Sequence, residues 1–179
     1  MHINFEFKAR CKDFTAQEQL VLQEQPRFVG VDRQIDTYFN VHSGRLKLRE
    51  GNIENALIHY LRTNTVGAKQ SDVTLYRHNP DPSLKEALAK ALGIKVVVDK
   101  TRKIYFIDNI KFHFDEVKDL GTFIEVEAID YDGTRGVDQL KAQCQFWSDR
   151  FGINSDDFIA ESYSDLLLAK KSSIVGSSI

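Results

Sequence analysis

The sequence predicts an α+β fold: an eight-stranded antiparallel β-barrel or tunnel with a charged interior and helices packed outside. Three observations carry this reading. The strand-like segments alternate between charged and apolar residues, so most have one polar and one greasy face. They follow one another through short turns, in hairpin order. Four amphipathic helices are too few to cover both faces of so wide a sheet, and a charged face makes no dry core. Curling the sheet so that its charged faces look onto a wet channel meets both demands. The helices then cover the outside, which inverts the apolar filling of a small barrel.

The stretch from Lys100 to Ile129 is the clearest part. It reads as three strands and two tight turns, at Asp108–Asn109 and around Asp119–Gly121. Lys100 and Arg102 share a face, as do Lys111, His113 and Asp115, and Glu125 and Glu127. The other faces carry Tyr105 and Ile107, Phe112 and Phe114, Ile124 and Val126. Clustered cations beside clustered carboxylates suit a polyanion carried with a metal ion.

From the start, Ile3 to Arg10 alternates cleanly, with Asn4, Glu6, Lys8 and Arg10 on one side. Thr15 and Glu18 form a capping-box pattern that opens a helix, and Pro26 follows its end. Gln34 to Phe39 is a short strand with Gln34, Asp36 and Tyr38 in phase. Gly44 to Glu50 follows, with Arg45, Lys47 and Arg49 on one face. Ala56 to Arg62 puts Ile58, Tyr60 and Arg62 in phase. A polar loop containing Lys69 leads to a strand over 71–77. Ser83 and Glu86 open a helix from Leu84 to Leu92, stopped by Gly93. Ile94 to Val98 runs into the meander. Val137 to Phe151 is amphipathic, with Leu140, Cys144 and Trp147 at helical spacing. A last helix is expected from about Ser155 to Lys170.

Composition narrows the function. The chain has 179 residues, enough for one domain. That domain is expected over 1–169, with an unstructured Ser-rich tail over 170–179. A formal net charge of -2 gives no global field for nucleic acid or an anionic membrane. Cys11 and Cys144 fit neither a disulfide framework nor a zinc spacing. No apolar run approaches ~18 residues, and the start reads as no signal peptide. The expectation is a cytoplasmic protein with no nucleic-acid or membrane partner; a homodimer is left open.

The inward cations are Lys8, Arg10, Arg45, Lys47, Arg49, Arg62, Lys100, Arg102 and Lys111. The inward carboxylates are Glu6, Asp115, Glu125 and Glu127. Guanidinium forks suit phosphate oxygens, and carboxylates suit magnesium or manganese, which also bridge phosphates. So many cations point to a triphosphate rather than a monophosphate. Taken singly, a Glu-x-Glu strand or a basic strand is an ordinary solvated face, and His113 reads as a satisfied polar residue. Recurrence in phase on strand after strand is what points to a site.

In this order the residues resemble the CYTH superfamily, the triphosphate tunnel metalloenzymes, and within it the class IV adenylyl cyclase-like branch. The resemblance runs from Ile3 to about Leu168. It is carried by Asn4, Glu6 and Lys8; by Gln34 to Phe39; by Gly44 to Glu50; by Tyr60 and Arg62; and by Lys69 and Ser71. Lys100 and Arg102, Asp115 to Val117 with Leu120 and Gly121, Glu125 and Glu127, and Ser162 to Leu167 complete it. It implies an eight-stranded tunnel and Mg2+- or Mn2+-dependent chemistry on a triphosphate. It implies metal ligation by Glu6, Asp115, Glu125 and Glu127. It implies phosphate contacts from Lys47, Arg49, Arg62, Lys69 and Lys100, with Lys8 and Arg102 both contacting phosphate and catalytic. The implied reaction is ATP to cyclic AMP and pyrophosphate. A triphosphatase acting on a nucleoside, thiamine or inorganic triphosphate is the alternative within the fold. A non-catalytic nucleotide or polyphosphate binder is the alternative outside enzymes. Asn4 stands where the family's first glutamate is expected; its amide oxygen can coordinate a metal but brings no charge.

Overall fold

A computed structural model describes residues 3–61 and 72–176. The elements in order are β1 (Ile3–Arg10), α1 (Phe14–Leu22), β2 (Arg27–Phe39), β3 (Arg45–Glu50), β4 (Ala56–Leu61), β5 (Asp72–Arg77) and α2 (Pro82–Leu92). There follow β6 (Ile94–Ile107), β7 (Ile110–Val117), β8 (Gly121–Asp130), α3 (Gly136–Arg150), a 3-10 turn (Ser155–Asp157) and α4 (Tyr163–Gly176). The eight strands form one sheet in the order β1-β8-β7-β6-β2-β3-β4-β5. Every neighbouring pair is antiparallel. No helix among the described residues is long and apolar enough to cross a membrane.

The sheet is curled into a half-barrel. Neighbouring strands lie about 4.8 Å apart, so β7 and β3, separated by β6 and β2, would be about 14 Å apart in a flat sheet. Yet Lys111 on β7 reaches Glu54, just past β3, at 3.1 Å. The strand registers put Lys8, Glu125, His113, Arg102, Gln34, Asp36, Lys47 and Arg49 on one face, the concave one. The convex face of β1, β8, β7 and β6 is apolar. Phe7, Val126, Ile124, Phe112, Phe114 and Tyr105 pack there against Val21 of α1 and Leu140, Cys144 and Trp147 of α3. Phe112 and Trp147 meet edge to face, 4.6 Å between centroids, and Phe112 is fully buried.

The concave face is not charged along its whole length. At one end Tyr38, Ile58, Tyr60, Val96, Val98, Val117 and Phe123 form a second core with Tyr163 and Leu167 of α4. So α4 closes one end of the channel instead of lying on the outer face. The helix also continues past position 170, where the sequence suggests a tail.

Several boundaries differ for physical reasons. Asp13 caps α1, accepting from the Ala16 amide at 2.9 Å, and Asp81 caps α2 through the Ser83 amide at 2.9 Å. Aspartate is as good an N-cap as serine or threonine, so each helix starts earlier than its Thr or Ser suggests. Glu18, freed from capping, accepts from Lys103 at 2.7 Å and from the Tyr105 hydroxyl at 2.5 Å. The short strand expected at Gln34 extends back to Arg27 because it pairs with the long β6 over most of its length, with an irregularity at Gly30. The helix expected from Ser155 breaks at Phe158, which bridges Ala9 at the outer edge of β1 and meets Phe7 edge to face, 5.6 Å between centroids. Ile159 donates its amide to the Lys8 carbonyl at 2.9 Å. An unpaired strand edge is a strong competitor for a segment that would otherwise start a helix.

Candidate functional site

The middle of the concave face holds two linked clusters of charge. The first forms around Asp36 of β2. Its carboxylate accepts from Arg49 Nε and Nη2 at 2.8 and 2.9 Å, from Lys47 Nζ at 2.9 Å and from Lys100 Nζ at 3.3 Å. β3 brings Lys47 and Arg49 beside Tyr38 and Asp36, and β6 brings Lys100 beside Gln34. Burial alone would raise the Asp36 carboxyl, but Arg49, Lys100 and Lys47 outweigh it and hold it well below the usual range. Lys100 is pushed down to about 7, first by burial and then by Arg102, with Asp36 pulling the other way.

The second cluster forms around Arg102. Its Nε and Nη2 grip both oxygens of Asp115 at 2.6 and 2.5 Å, and Nη2 also reaches Glu125 at 2.7 Å. Lys8 pairs with the other Glu125 oxygen at 3.1 Å. His113 Nδ1 lies 3.2 Å from Glu125. Burial, then Arg102 and Lys111, push His113 down to about 3, so it is neutral at pH 7 and its Nδ1–H donates to the carboxylate. Its Nε2 is buried without a partner. Burial opposes ionisation of Glu125, but Lys8, Arg102 and His113 prevail and hold it well below the usual range.

Tyr163 of α4 joins the clusters. Its hydroxyl donates to Asp115 at 2.8 Å. Its ring lies 4.3 Å from Lys8 Nζ and 5.4 Å from Lys100 Nζ, within cation–π range. Burial, then Asp115 and Glu125, hold its phenol well above the ordinary value, so it stays a donor.

The turn between β3 and β4 completes the site. Asp32, fully buried, accepts from the amides of Ile53 and Glu54 at 2.9 and 3.0 Å. Asn52 ties the same turn to β2 through the Val31 carbonyl and the Arg33 amide. The turn packs so closely that a Cβ on Gly51 would lie 2.6 Å from Asp32 Oδ1 and 2.7 Å from the Glu54 carbonyl. Gly51→Ala is therefore expected to cost about 1–3 kcal/mol as an overpacked site. Urea unfolding checks this; an unchanged midpoint would mean that the turn yields freely.

The residues implied as site residues separate in the structure. Lys8, Lys47, Arg49, Lys100, Arg102, Asp115, Glu125, Glu6 and Glu127 share the concave face. Arg62 and Lys69 lie outside the described residues. Asp36 and Tyr163 emerge as organisers, and Glu54 as a further anion beside Arg49 and Lys111, none of them assigned a role from the sequence. Asp36 was visible in phase with Gln34 and Tyr38, beside the basic strand. Tyr163 falls in a matched segment but reads as core, which it also is. Glu54 sits in a polar turn and carries no signal at all.

The carboxylates differ in how well they suit a divalent cation. Both Asp115 oxygens are taken by Arg102 and Tyr163 and both Glu125 oxygens by Lys8, Arg102 and His113. In this arrangement the two carboxylates hold Arg102 in place, and a cation would have to displace one of their partners. Glu6 and Glu127 stand directly opposite each other across β1 and β8. Glu127 accepts a hydrogen bond from the Asn4 amide. Its pKa is raised, by burial first and by Glu125, against the pull of Lys111. That marks a carboxylate short of positive charge. No group of three or more His, Cys, Asp or Glu among the described residues is arranged to hold a metal. Magnesium, however, uses one or two carboxylates and completes its shell with water and substrate phosphates. Glu6 and Glu127 fit that donor set.

The curled antiparallel sheet brings opposed cations and carboxylates together on its concave face. The chain belongs to the CYTH family: the CYTH domain model matches residues 2–163. No curated protein matches it. Among solved structures it is similar to the PH1012 protein of Pyrococcus horikoshii OT3, at 20% identity and TM-score 0.79, over 92% of this chain and 99% of that one. It is also similar to a protein of Vibrio parahaemolyticus provisionally named an adenylate cyclase, at 18% identity and TM-score 0.72, over 92% and 97%. A third, from Bacillus halodurans and provisionally named in the same way, has 16% identity and TM-score 0.51, over 85% and 91%. At these identities the likeness establishes the fold.

Proposed function

We propose that the concave channel binds a triphosphate with Mg2+ or Mn2+ and acts as an adenylate cyclase, converting ATP to cyclic AMP and pyrophosphate. The observation that carries the reading is the convergence of Lys8, Lys47, Arg49, Lys100, Arg102 and Lys111, from four strands, on one concave face. So many cations exceed what one phosphate requires. CYTH membership and the provisional names of two structural relatives support the choice of reaction.

In the reaction the ribose 3′-oxygen forms a bond to the α-phosphorus, the bond from that phosphorus to the β-bridging oxygen breaks, and the 3′-hydroxyl proton is lost. Arg102 and Lys8 meet the charge that develops on the phosphate, in a setting kept from bulk water, where fixed dipoles and charges act most strongly. Arg49, Lys47 and Lys100 hold the rest of the chain of phosphates. A divalent ion held by Glu6 and Glu127 would neutralise phosphate charge and help align it for in-line displacement. Asp115 and Tyr163 keep the Arg102 fork in its plane.

Incubation with ATP, inorganic triphosphate and thiamine triphosphate, each with Mg2+ or Mn2+, tests the reading by product. Cyclic AMP with pyrophosphate is expected. Orthophosphate would make the protein a triphosphatase, and no product with measurable binding would make it a polyphosphate receptor.

Asn4 offers a separate test of the metal assignment. It contacts Glu127 and shares a face with Glu6. Asn4→Glu adds a third carboxylate to that pair. Manganese binding by calorimetry is expected to tighten by about tenfold, since a hydrogen-bonded or coordinated charge contributes on the order of 1.5 kcal/mol or more. Unchanged or weaker binding would remove Asn4 from the metal position.

A further inference from the structure

We infer that Glu54 is a built-in competitor for the substrate's phosphate, an anion of the protein itself lodged in the seat that Arg49 and Lys111 form. The inference rests on the triphosphate reading above. The Glu54 carboxylate accepts from Arg49 Nη1 at 2.8 Å, from Lys111 Nζ at 3.1 Å and from Gln34 Nε2 at 3.2 Å. These donors come from three different strands, β3, β7 and β2. The side chain retains about a third of its exposure, at 31%, so it lies where the channel opens to solvent. Burial would raise its carboxyl, but Lys111 and Arg49 hold it down, so it is charged at neutral pH.

The carboxylate does not hold its turn in place. Asp32 and Asn52 pin the turn, Asn55 and Gly51 exchange hydrogen bonds across it, and none of these uses the Glu54 side chain. The turn thus presents one carboxylate to two phosphate-type cations and stays folded without it. Carboxylate and phosphate oxygens use the same donors in the same way. A phosphate arriving at Arg49 and Lys111 must displace Glu54, which is tethered and so always at high local concentration. A triphosphate can do so because its other phosphates engage the Asp36 and Arg102 clusters at the same time. Glu54 then sets how much charge a ligand must bring.

The sign of one measurement separates this from a scaffolding role. If Glu54 mainly orients Arg49, removing its charge weakens binding; if it competes, removal strengthens binding. Glu54→Gln keeps the size and an acceptor oxygen, and a thermal melt shows that it is folded. Calorimetry with inorganic tripolyphosphate, without metal, is expected to give about tenfold tighter binding than wild type, the size of one charge-assisted contact no longer displaced. It should also show a steeper loss of affinity with added salt, because one more cation is left to the ligand. Equal or weaker binding by a folded Glu54→Gln overturns the inference. No binding of tripolyphosphate by wild type or variant overturns the triphosphate reading beneath it.

Discussion

Asp36→Asn is expected to lower stability by about 3–5 kcal/mol, the range for breaking a buried ion pair on one side only. Asp36 is 1% exposed and is the shared anion of Lys47, Arg49 and Lys100. The three cations respond differently to its loss. Lys100, already pushed down to about 7, sheds its proton at small cost. Lys47 is partly exposed and can turn to water. Arg49 cannot be deprotonated and among the described residues retains Glu54 alone, so most of the cost falls on it. Urea unfolding at pH 7 reads the effect, and a loss below about 1 kcal/mol would mean that water already neutralises this cluster.

The pH dependence follows in sign. The folded-state carboxyl of Asp36 is depressed, so its contribution is complete above the unfolded value near 4 and is lost as pH falls through the depressed value. Asp115, Glu125 and Glu54 are depressed as well. Wild-type stability should drop steeply below about pH 4, and Asp36→Asn should show a shallower drop. Lys100 acts at the other end. Between about 7 and about 10.4 the unfolded chain holds its proton and the folded chain does not. Its share of stability therefore rises with pH across that window.

The parts of the site legible in the sequence were those written in strand periodicity. Alternation placed Lys8 with Glu6, Arg49 with Lys47, and Glu125 with Glu127, because a strand's faces follow from parity alone. It could not say which cation meets which carboxylate, since that depends on strand order, and β6 pairs with β2 rather than with β5. For the same reason the sequence marks Asp115 as an inward carboxylate but not that Arg102 grips it from the neighbouring strand. Turns carry no parity, so Glu54 was invisible until the curl of the sheet brought it to Lys111. The placement of α4 was hidden for a different reason. Tyr163 and Leu167 are ordinary apolar or aromatic helix positions, and only the apolar end of the concave face, supplied by Val96, Val98 and Phe123, says that they plug the channel. Cap positions shifted because aspartate, serine and threonine compete for the same amides within one turn.

The second large effect concerns Arg102, which is 4% exposed and satisfies two carboxylates at once. Arg102→Met keeps the aliphatic stem and removes the charge. Asp115 and Glu125 are then left facing each other's field with Lys8 as the remaining close cation of Glu125. In EDTA the variant is expected to lose about 3–5 kcal/mol, for the reason given for Asp36. The two losses differ in what can restore them. At Asp36 the orphans are cations, and a metal makes matters worse. At Arg102 the orphans are carboxylates beside Glu127, and a divalent cation can take the place of the guanidinium. Manganese should therefore raise the unfolding midpoint of Arg102→Met more than that of wild type, by the linkage of binding to folding, while leaving Asp36→Asn no better off. Tripolyphosphate should reverse the ranking, because Asp36→Asn frees cations for it and Arg102→Met removes one. Urea titrations of the three proteins in EDTA, in manganese and in tripolyphosphate give the comparison. Equal manganese responses in wild type and Arg102→Met would mean that Arg102 and a metal do not share ligands, and that Asp115 and Glu125 serve the arginine alone.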